Sequence, residues 1–243
     1  FLRIERDAMD GACFNVFTTP GAATMYRRRY PDVDGGRIRV VENGYDEESF
    51  STLDPSEAAA RINPGVVTLL HSGALYPWER DPTQLFTALG SLRARGVISP
   101  DRMQVRFRAS GQDALLTELA SRNGVGDMLQ LEPALPYRAA LAEMLRADAL
   151  LVLQSATCNE QIPAKLYEYL RAGRPIVGLT DPLGDTAATM RGAGLQTIAP
   201  LNDSAAIEAL LVDLLRSIES GTASLPDAAV ARRNARDARA GEL

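Results

Sequence analysis

From Val66 onward the chain repeats one unit, a short β-branched or leucine-rich run followed by a longer stretch at helical spacing, and few folds can use that repeat. Val66-Val67-Thr68-Leu69-Leu70 reads as a buried strand. Leu85, Phe86, Leu89 and Leu92 then predict a helix from Pro82 to Arg95. Val105-Arg106-Phe107 is the next strand and Ala114 to Arg122 the next helix. Met128 to Leu131, a helix from Arg138 to Arg146, and the apolar strand Ala149 to Leu153 follow. Pro163 to Ala172 predicts a helix ended by Gly173, and Ile176 to Leu179 a strand. The last units are Asp185 to Gly192, Gln196 to Ile198, and an amphipathic helix from Ser204 to Ser217. Strands alternating with crossover helices predict a parallel sheet, so the fold class is doubly wound α/β. Such sheets bind ligands outside the carboxyl ends of their strands.

The beginning and end of the chain break the repeat. A helical start, a strand at Cys13 to Phe17, a helix from Gly21 to Tyr30 and a strand at Arg37 to Val41 make one small unit. A piece of that size rarely buries a core by itself, and it reads as the tail end of another domain. Residues 1–47 are therefore expected to be the end of an N-terminal domain with its linker. Residues 48–220 are expected to form the main domain, and 221–243 a tail with one more helix. The tail carries Arg232, Arg233, Arg236 and Arg239, diluted by Asp237 and Glu242, and is expected to show them as one solvated helix face.

Composition excludes several classes of function. A net charge of −5 argues against a general nucleic-acid surface. Cys13 and Cys158 have no paired spacing, which gives no disulfide framework or zinc site and suits a reducing cytoplasm. The single histidine, His71, closes an apolar run and is expected to be structural. No apolar stretch reaches the roughly 18 residues of a membrane helix. A dinucleotide oxidoreductase is disfavoured because no Gly-x-Gly-x-x-Gly follows any strand.

Asn159-Glu160-Gln161-Ile162-Pro163-Ala164-Lys165-Leu166-Tyr167-Glu168-Tyr169-Leu170 carries the most chemistry. It follows a buried strand and opens a helix, whose free amides and positive dipole end favour phosphate. Lys165 adds a cation. Lys165 and Glu168 share a face, and Glu160 lies just ahead. Carboxylates are poor phosphate ligands but good acceptors for sugar hydroxyls, so a phosphate flanked by two polyols fits the pattern. The plainer alternative is a surface helix with a Lys165–Glu168 pair worth ~0.2–0.5 kcal/mol.

Glu160 and Glu168, followed by Ala172-Gly173-Arg174-Pro175-Ile176-Val177, resemble the E-x7-E motif of the GT-B retaining glycosyltransferases. Val41-Glu42-Asn43-Gly44-Tyr45-Asp46 with Phe50 resembles that group's interdomain turn, and His71-Ser72-Gly73-Ala74-Leu75 its first glycine loop. Ala193-Gly194-Leu195 and the helix after Asn202-Asp203 match its closing units. The resemblance implies a Rossmann-like C-terminal half of a two-domain GT-B protein, with the acceptor half largely outside this chain. It implies that Glu160 contacts the donor sugar and Glu168 the ribose. Amides near Ile162, Ala164 and Lys165 would meet the diphosphate. Gly73 would admit the backbone close to the diphosphate or acceptor, Arg80 would neutralise phosphate, and Leu135 and Pro136 would face the base. Glu160, Lys165 and Arg80 are thus the expected catalytic residues.

The sequence departs from the group at two points. Ala74 and Leu75 stand where an arginine is common, and Gln161-Ile162-Pro163 replaces a glycine-rich loop. Lys165 compensates, as in the subset that reads Pro-x-Lys. The reading finds no Asp-x-Asp sequence of the kind metal-dependent transferases use, and no metal and no cofactor are expected. The resemblance implies transfer with retention from a UDP- or GDP-sugar to a glycan or lipid-linked acceptor. It further implies a cytoplasmic setting at the inner face of the membrane, with peripheral association and no nucleic-acid partner. The chain by itself is expected to bind donor without transferring sugar. A non-catalytic nucleotide-binding scaffold is the main alternative, although a scaffold has no use for Glu160, Lys165 and Glu168. A nucleotide-sugar 2-epimerase is a second alternative, disfavoured by the lack of a suitable histidine and paired acids.

Overall fold

The computed structural model describes residues 1–241; Glu242 and Leu243, the end of the expected tail, lie outside the described residues. The chain opens with α1 (Leu2–Gly11), β1 (Asn15–Phe17), α2 (Pro20–Arg29) and β2 (Ile38–Val40). Two short helices follow that the sequence does not announce, α3 (Glu47–Ser51) and α4 (Pro55–Ala59). Asp46 and Asp54 start them by accepting from the amides of Ser49 and Ser56. The alternating region then runs β3 (Val67–Ser72), α5 (Thr83–Ala94), β4 (Met103–Arg108), α6 (Asp113–Arg122), β5 (Leu129–Glu132), α7 (Tyr137–Arg146) and β6 (Ala149–Leu153). It continues with α8 (Lys165–Ala172), β7 (Ile176–Leu179), α9 (Asp185–Gly192), β8 (Ile198–Ala199) and α10 (Ser204–Glu219). The tail holds α11 (Ala228–Arg233) and α12 (Arg236–Ala240).

β3 to β8 form one six-stranded sheet in the order β5-β4-β3-β6-β7-β8, parallel throughout. The expected doubly wound α/β class is what the chain adopts. Alternate residues along each strand feed opposite faces, as a period of two requires. Leu69, Val105, Leu151 and Val177 pack with Leu85, Leu89 and Leu92 of α5 and with Leu211 and Leu214 of α10. Leu70, Leu150, Val152 and Ile176 pack with Leu141 of α7 and with Leu166, Tyr169 and Leu170 of α8. All five residues of β6 are buried, which explains why that strand reads as an unbroken apolar run. Each such leucine contributes about 1.5–3 kcal/mol by leaving water, and Leu151→Ala would cost about 2–5 kcal/mol.

β1 and β2 pair with each other in a separate two-stranded sheet. Met9, Ala23, Tyr30, Val33 and Ile38 make a small core there. The tail differs from expectation. Asn234 and Ala235 interrupt it, so it holds two short helices in place of one, and its arginines do not share a face. Arg239 reaches Glu42 and Asn234, and Arg236 donates to the carbonyl of Gly44. The backbone of Tyr45 exchanges hydrogen bonds with Asn234 and Arg236. Two of the four arginines therefore bind the tail to the stretch joining the two sheets, while Arg232 and Arg233 stay exposed.

Candidate functional site

The sheet's topological switch lies between β3 and β6, where consecutive chain segments leave in opposite directions. The loops after these two strands meet there. After β3, Gly73 takes φ +101, a conformation that favours glycine, and a Cβ at that position would sit 3.3 Å from Nζ of Lys165. Its amide donates to the carbonyl of Arg108 at 2.8 Å. Arg80 folds back on the same loop, with its guanidinium over the Tyr76 ring and donating to Ala74 at 2.7 Å. The amide of Ser155, beyond β6, donates to the carbonyl of Glu79 at 2.6 Å and ties the two loops together.

Helix α8 begins at Lys165, two residues later than its sequence pattern predicts. Pro163 and Ala164 form a tight turn before it, their carbonyls accepting from Leu166 at 2.9 Å and Tyr167 at 3.1 Å. The amides of Ile162, Ala164 and Lys165 donate to no group among the described residues, as expected of a helix start. The side chain of Ile162 is buried in the core beneath, and Ala164 is exposed. Gln154 fixes the preceding loop by donating to the carbonyls of Cys158 and Gln161.

Lys165 is held from below by His71, Nζ to Nε2 at 3.1 Å. His71 is fully buried, and burial, reinforced by the charges of Lys165 and Arg80, holds its pKa well below the usual value. The neutral ring accepts from Lys165, which places its own proton on Nδ1. Burial and then Arg80 pull Lys165 down to about 7, with Glu168 opposing. The expectation that His71 is structural thus covers only part of its position. It packs against Phe107 with ring centroids 5.4 Å apart, and it also touches the one lysine of the candidate site. No sequence signal could show this, because β3 and α8 lie far apart in the chain.

Glu168 sits on the first turn of α8 and accepts from the hydroxyl of Tyr137 at 2.8 Å. Burial and Glu168 together raise the pKa of that phenol, keeping it a donor. Tyr137 is therefore the residue that carries the loop after β5 to α8, whereas Leu135 and Pro136 line a neighbouring hollow of about 680 Å³ with Arg106, Arg108 and Arg138. Glu160 is exposed in the loop ahead of α8. Its carbonyl accepts from the hydroxyl of Thr19 at 2.5 Å, so the N-terminal unit reaches the motif directly. Thr19 also caps α2, and the amide of Gly21 donates to Asp185 at 2.8 Å. Pro20, Ile162 and Asp185 meet around a cavity of about 370 Å³ there.

One Asp-x-Asp spacing does occur, at Asp32-Val33-Asp34, contrary to the sequence reading. Both carboxylates are engaged within the N-terminal unit: Asp32 pairs with Arg6, and Asp34 accepts from the amide of Gly36 at 2.9 Å.

No family profile matches the chain. Over 183 residues it is 31% identical to a D-inositol 3-phosphate glycosyltransferase of Nocardiopsis dassonvillei, a match covering 70% of this chain and 42% of the relative. A D-inositol 3-phosphate glycosyltransferase of Frankia alni is 28% identical over 159 residues, covering 58% of this chain and 39% of the relative. The chain thus spans less than half the length of the curated relatives it matches. Among solved structures, Anabaena Alr3699/HepE in complex with UDP-glucose superposes with a TM-score of 0.75 at 16% identity, covering 99% of this chain and 65% of that one. WaaG, a glycosyltransferase involved in lipopolysaccharide biosynthesis, superposes with a TM-score of 0.67 at 17% identity, covering 92% and 57%. Taken with the parallel sheet, these likenesses show that the chain has the Rossmann-like fold of the GT-B proteins, and the curated proteins it resembles are glycosyltransferases.

Proposed function

We propose that this chain supplies the donor-binding half of an enzyme that transfers a sugar from a nucleoside-diphosphate sugar, UDP- or GDP-linked, to a glycan or lipid-linked acceptor. One observation carries the reading: the helix start with the free amides of Ile162, Ala164 and Lys165 also bears a lysine anchored on a buried histidine, at the switch point of a parallel sheet. A helix start with a fixed cation is a site for pyrophosphate. In this reading Glu168, which accepts from Tyr137, takes the ribose hydroxyls, and the exposed Glu160 those of the sugar.

In such a transfer negative charge builds on the departing diphosphate as the glycosidic bond breaks. Preorganised cations and amides aimed at that charge lower the barrier, and removing one donor of this kind typically costs about 2.7–4 kcal/mol. Lys165 and Arg80 fill that role here without a metal. Retention of configuration fits the same architecture. The reading sets the reaction in the cytoplasm, at the inner face of the membrane where lipid-linked acceptors are presented. No helix among the described residues is long and apolar enough to cross a membrane.

A thermal-shift panel with UDP, GDP, ADP and their sugars tests the proposal. One diphosphate series should stabilise the chain, and Glu168→Ala should abolish most of the shift. No response to any nucleotide would favour a scaffold that has lost its donor site.

A further inference from the structure

A further cavity opens at the carboxyl edge of the same sheet, beyond β3, β6, β7 and β8, with a volume of about 570 Å³. None of the residues assigned to donor binding lines it. Its apolar wall is Trp78, Pro182 and Leu201. Trp78 is the only tryptophan of the chain, and the residue is 74% exposed, an arrangement the fold does not need for packing. A flat indole presented beside a cavity of ligand size is a surface on which another ring can lie.

The polar wall says which ring. Gln84 and Asn202 line the cavity with side-chain amides that make no hydrogen bond among the described residues. Asp81 and Asp181 add two carboxylates, and no lysine or arginine contributes. Arg80, the nearest basic neighbour in sequence, is turned onto Tyr76 and Ala74. A nucleotide would bring phosphate toward two carboxylates with no cation to offset it, so stacking of a base is electrostatically opposed. A neutral sugar ring has the opposite balance. Its C–H face covers the indole, and its hydroxyls donate to carboxylates and exchange hydrogen bonds with amides.

We propose that this cavity is a saccharide subsite, holding a neutral sugar ring on Trp78 with its hydroxyls on Gln84, Asn202, Asp81 and Asp181. The class of ligand rests on the lining alone. Its role, holding a sugar of the acceptor or product at a distance from the reacting centre, rests on the glycosyltransferase reading. The Ser155–Glu79 hydrogen bond joins the two loops that frame both sites, so an occupied subsite would lie along one edge with the donor.

Because Trp78 stands alone, its emission reports this cavity without a label. The chain would be titrated with maltotriose, cellotriose, chitotriose and galactobiose, and in parallel with UDP and UDP-glucose. At least one neutral saccharide should shift Trp78 emission to saturation with a Kd on the order of 1 mM, as expected for a small exposed site. Gln84→Ala with Asn202→Ala should weaken that binding at least several-fold while leaving the nucleotide thermal shift unchanged. Trp78→Phe, followed by saccharide-observed NMR saturation transfer, should weaken it less than Trp78→Ala. Absence of a response to all four saccharides in both fluorescence and saturation transfer overturns the subsite. So does a saccharide response that survives Trp78→Ala, or an emission change produced by UDP alone. The nucleotide thermal shift is read separately, so failure of the donor reading and failure of the subsite are told apart.

Discussion

Nζ of Lys165 lies 3.1 Å from Nε2 of His71, a contact between the first residue of α8 and a buried residue of β3. The lysine cannot swing into solvent without leaving the imidazole nitrogen unpaired, and the Nδ1 side of the ring already has no partner among the described residues. The cation is thereby fixed beside the free amides before any ligand arrives, so little side-chain entropy is lost on binding. The same contact makes the site sensitive to pH in two ways.

Donor affinity should fall as pH rises above 7. Lys165 titrates at about 7 because of burial and then Arg80, and a diphosphate at the tip favours its charged form. Binding then takes up a proton between that value and the higher one of the complex. Affinity should drop by up to ~10-fold per pH unit across this window and be level below it. Calorimetry with UDP-glucose, which has no ionising terminal phosphate, in buffers of different ionisation enthalpy reads both the slope and the proton. Lys165→Arg should bind with a flat profile. A flat profile in the parent chain would remove Lys165 from the diphosphate.

Acid should destabilise the fold through His71. Its folded pKa is held well below the usual value by burial, then by Lys165 and Arg80, while the unfolded chain protonates near 6.5. The unfolded state therefore binds the extra proton, so stability is full above that pH and declines below it. The expected decline is up to ~1.4 kcal/mol per pH unit. Urea denaturation at successive pH values should show this slope in the parent chain and a shallower one in His71→Asn, and equal slopes would contradict it.

Thr19 should act on the motif from outside the main sheet. Its hydroxyl accepts from Ala22 and donates to the carbonyl of Glu160. Thr19→Val removes both bonds and should cost about 1–2 kcal/mol of stability. Thr19→Ser should restore most of it. Because the lost bond also positions Glu160, the valine variant should bind a nucleotide sugar less tightly while retaining affinity for the bare diphosphate. Equal losses for both ligands would make Thr19 merely a helix cap.

Glu143 should be the most damaging single removal on the other side of the fold. It accepts from Arg108 at 2.8 and 2.5 Å and from Arg106 at 2.9 Å, and it is 5% exposed. Burial works against its charge, but the two arginines prevail and hold its pKa below the usual carboxylate value. Glu143→Ala leaves the buried Arg108 with only the more distant Glu132, at 3.6 Å, as a charge partner and should cost about 3–5 kcal/mol. Pairing Glu143→Leu with Arg108→Met should recover much of that loss. A denaturant series across the three variants distinguishes an unpaired charge from a simple cavity.

Much of the main domain was legible from local pattern. Ala149 to Leu153 is a strand and Asp185 to Gly192 a helix with the bounds their spacing predicts. Gly173 ends α8 in the left-handed conformation at φ +64, as a glycine after a helical pattern should. Errors fall where local signals are thin. The pattern starts α8 two residues early because proline is as acceptable in the turn before a helix as in its first turn, and α3 and α4 are too short for a periodicity to show. The tail's composition predicts one helix because nothing in it reveals that Asn234 and Ala235 pair with Tyr45.

The sequence by itself determined the alternation of strands and helices, the faces they bury, and the spacing of Glu160, Lys165 and Glu168 around one helix start. These follow from periods of two and 3.6, which involve only near neighbours. Tertiary structure alone decided which distant residues support that start. His71 meets Lys165 across 94 residues, Tyr137 meets Glu168 across 31, and Thr19 meets Glu160 across 141. Such contacts depend on how the crossovers place strand ends side by side, and a linear pattern carries no record of that placement.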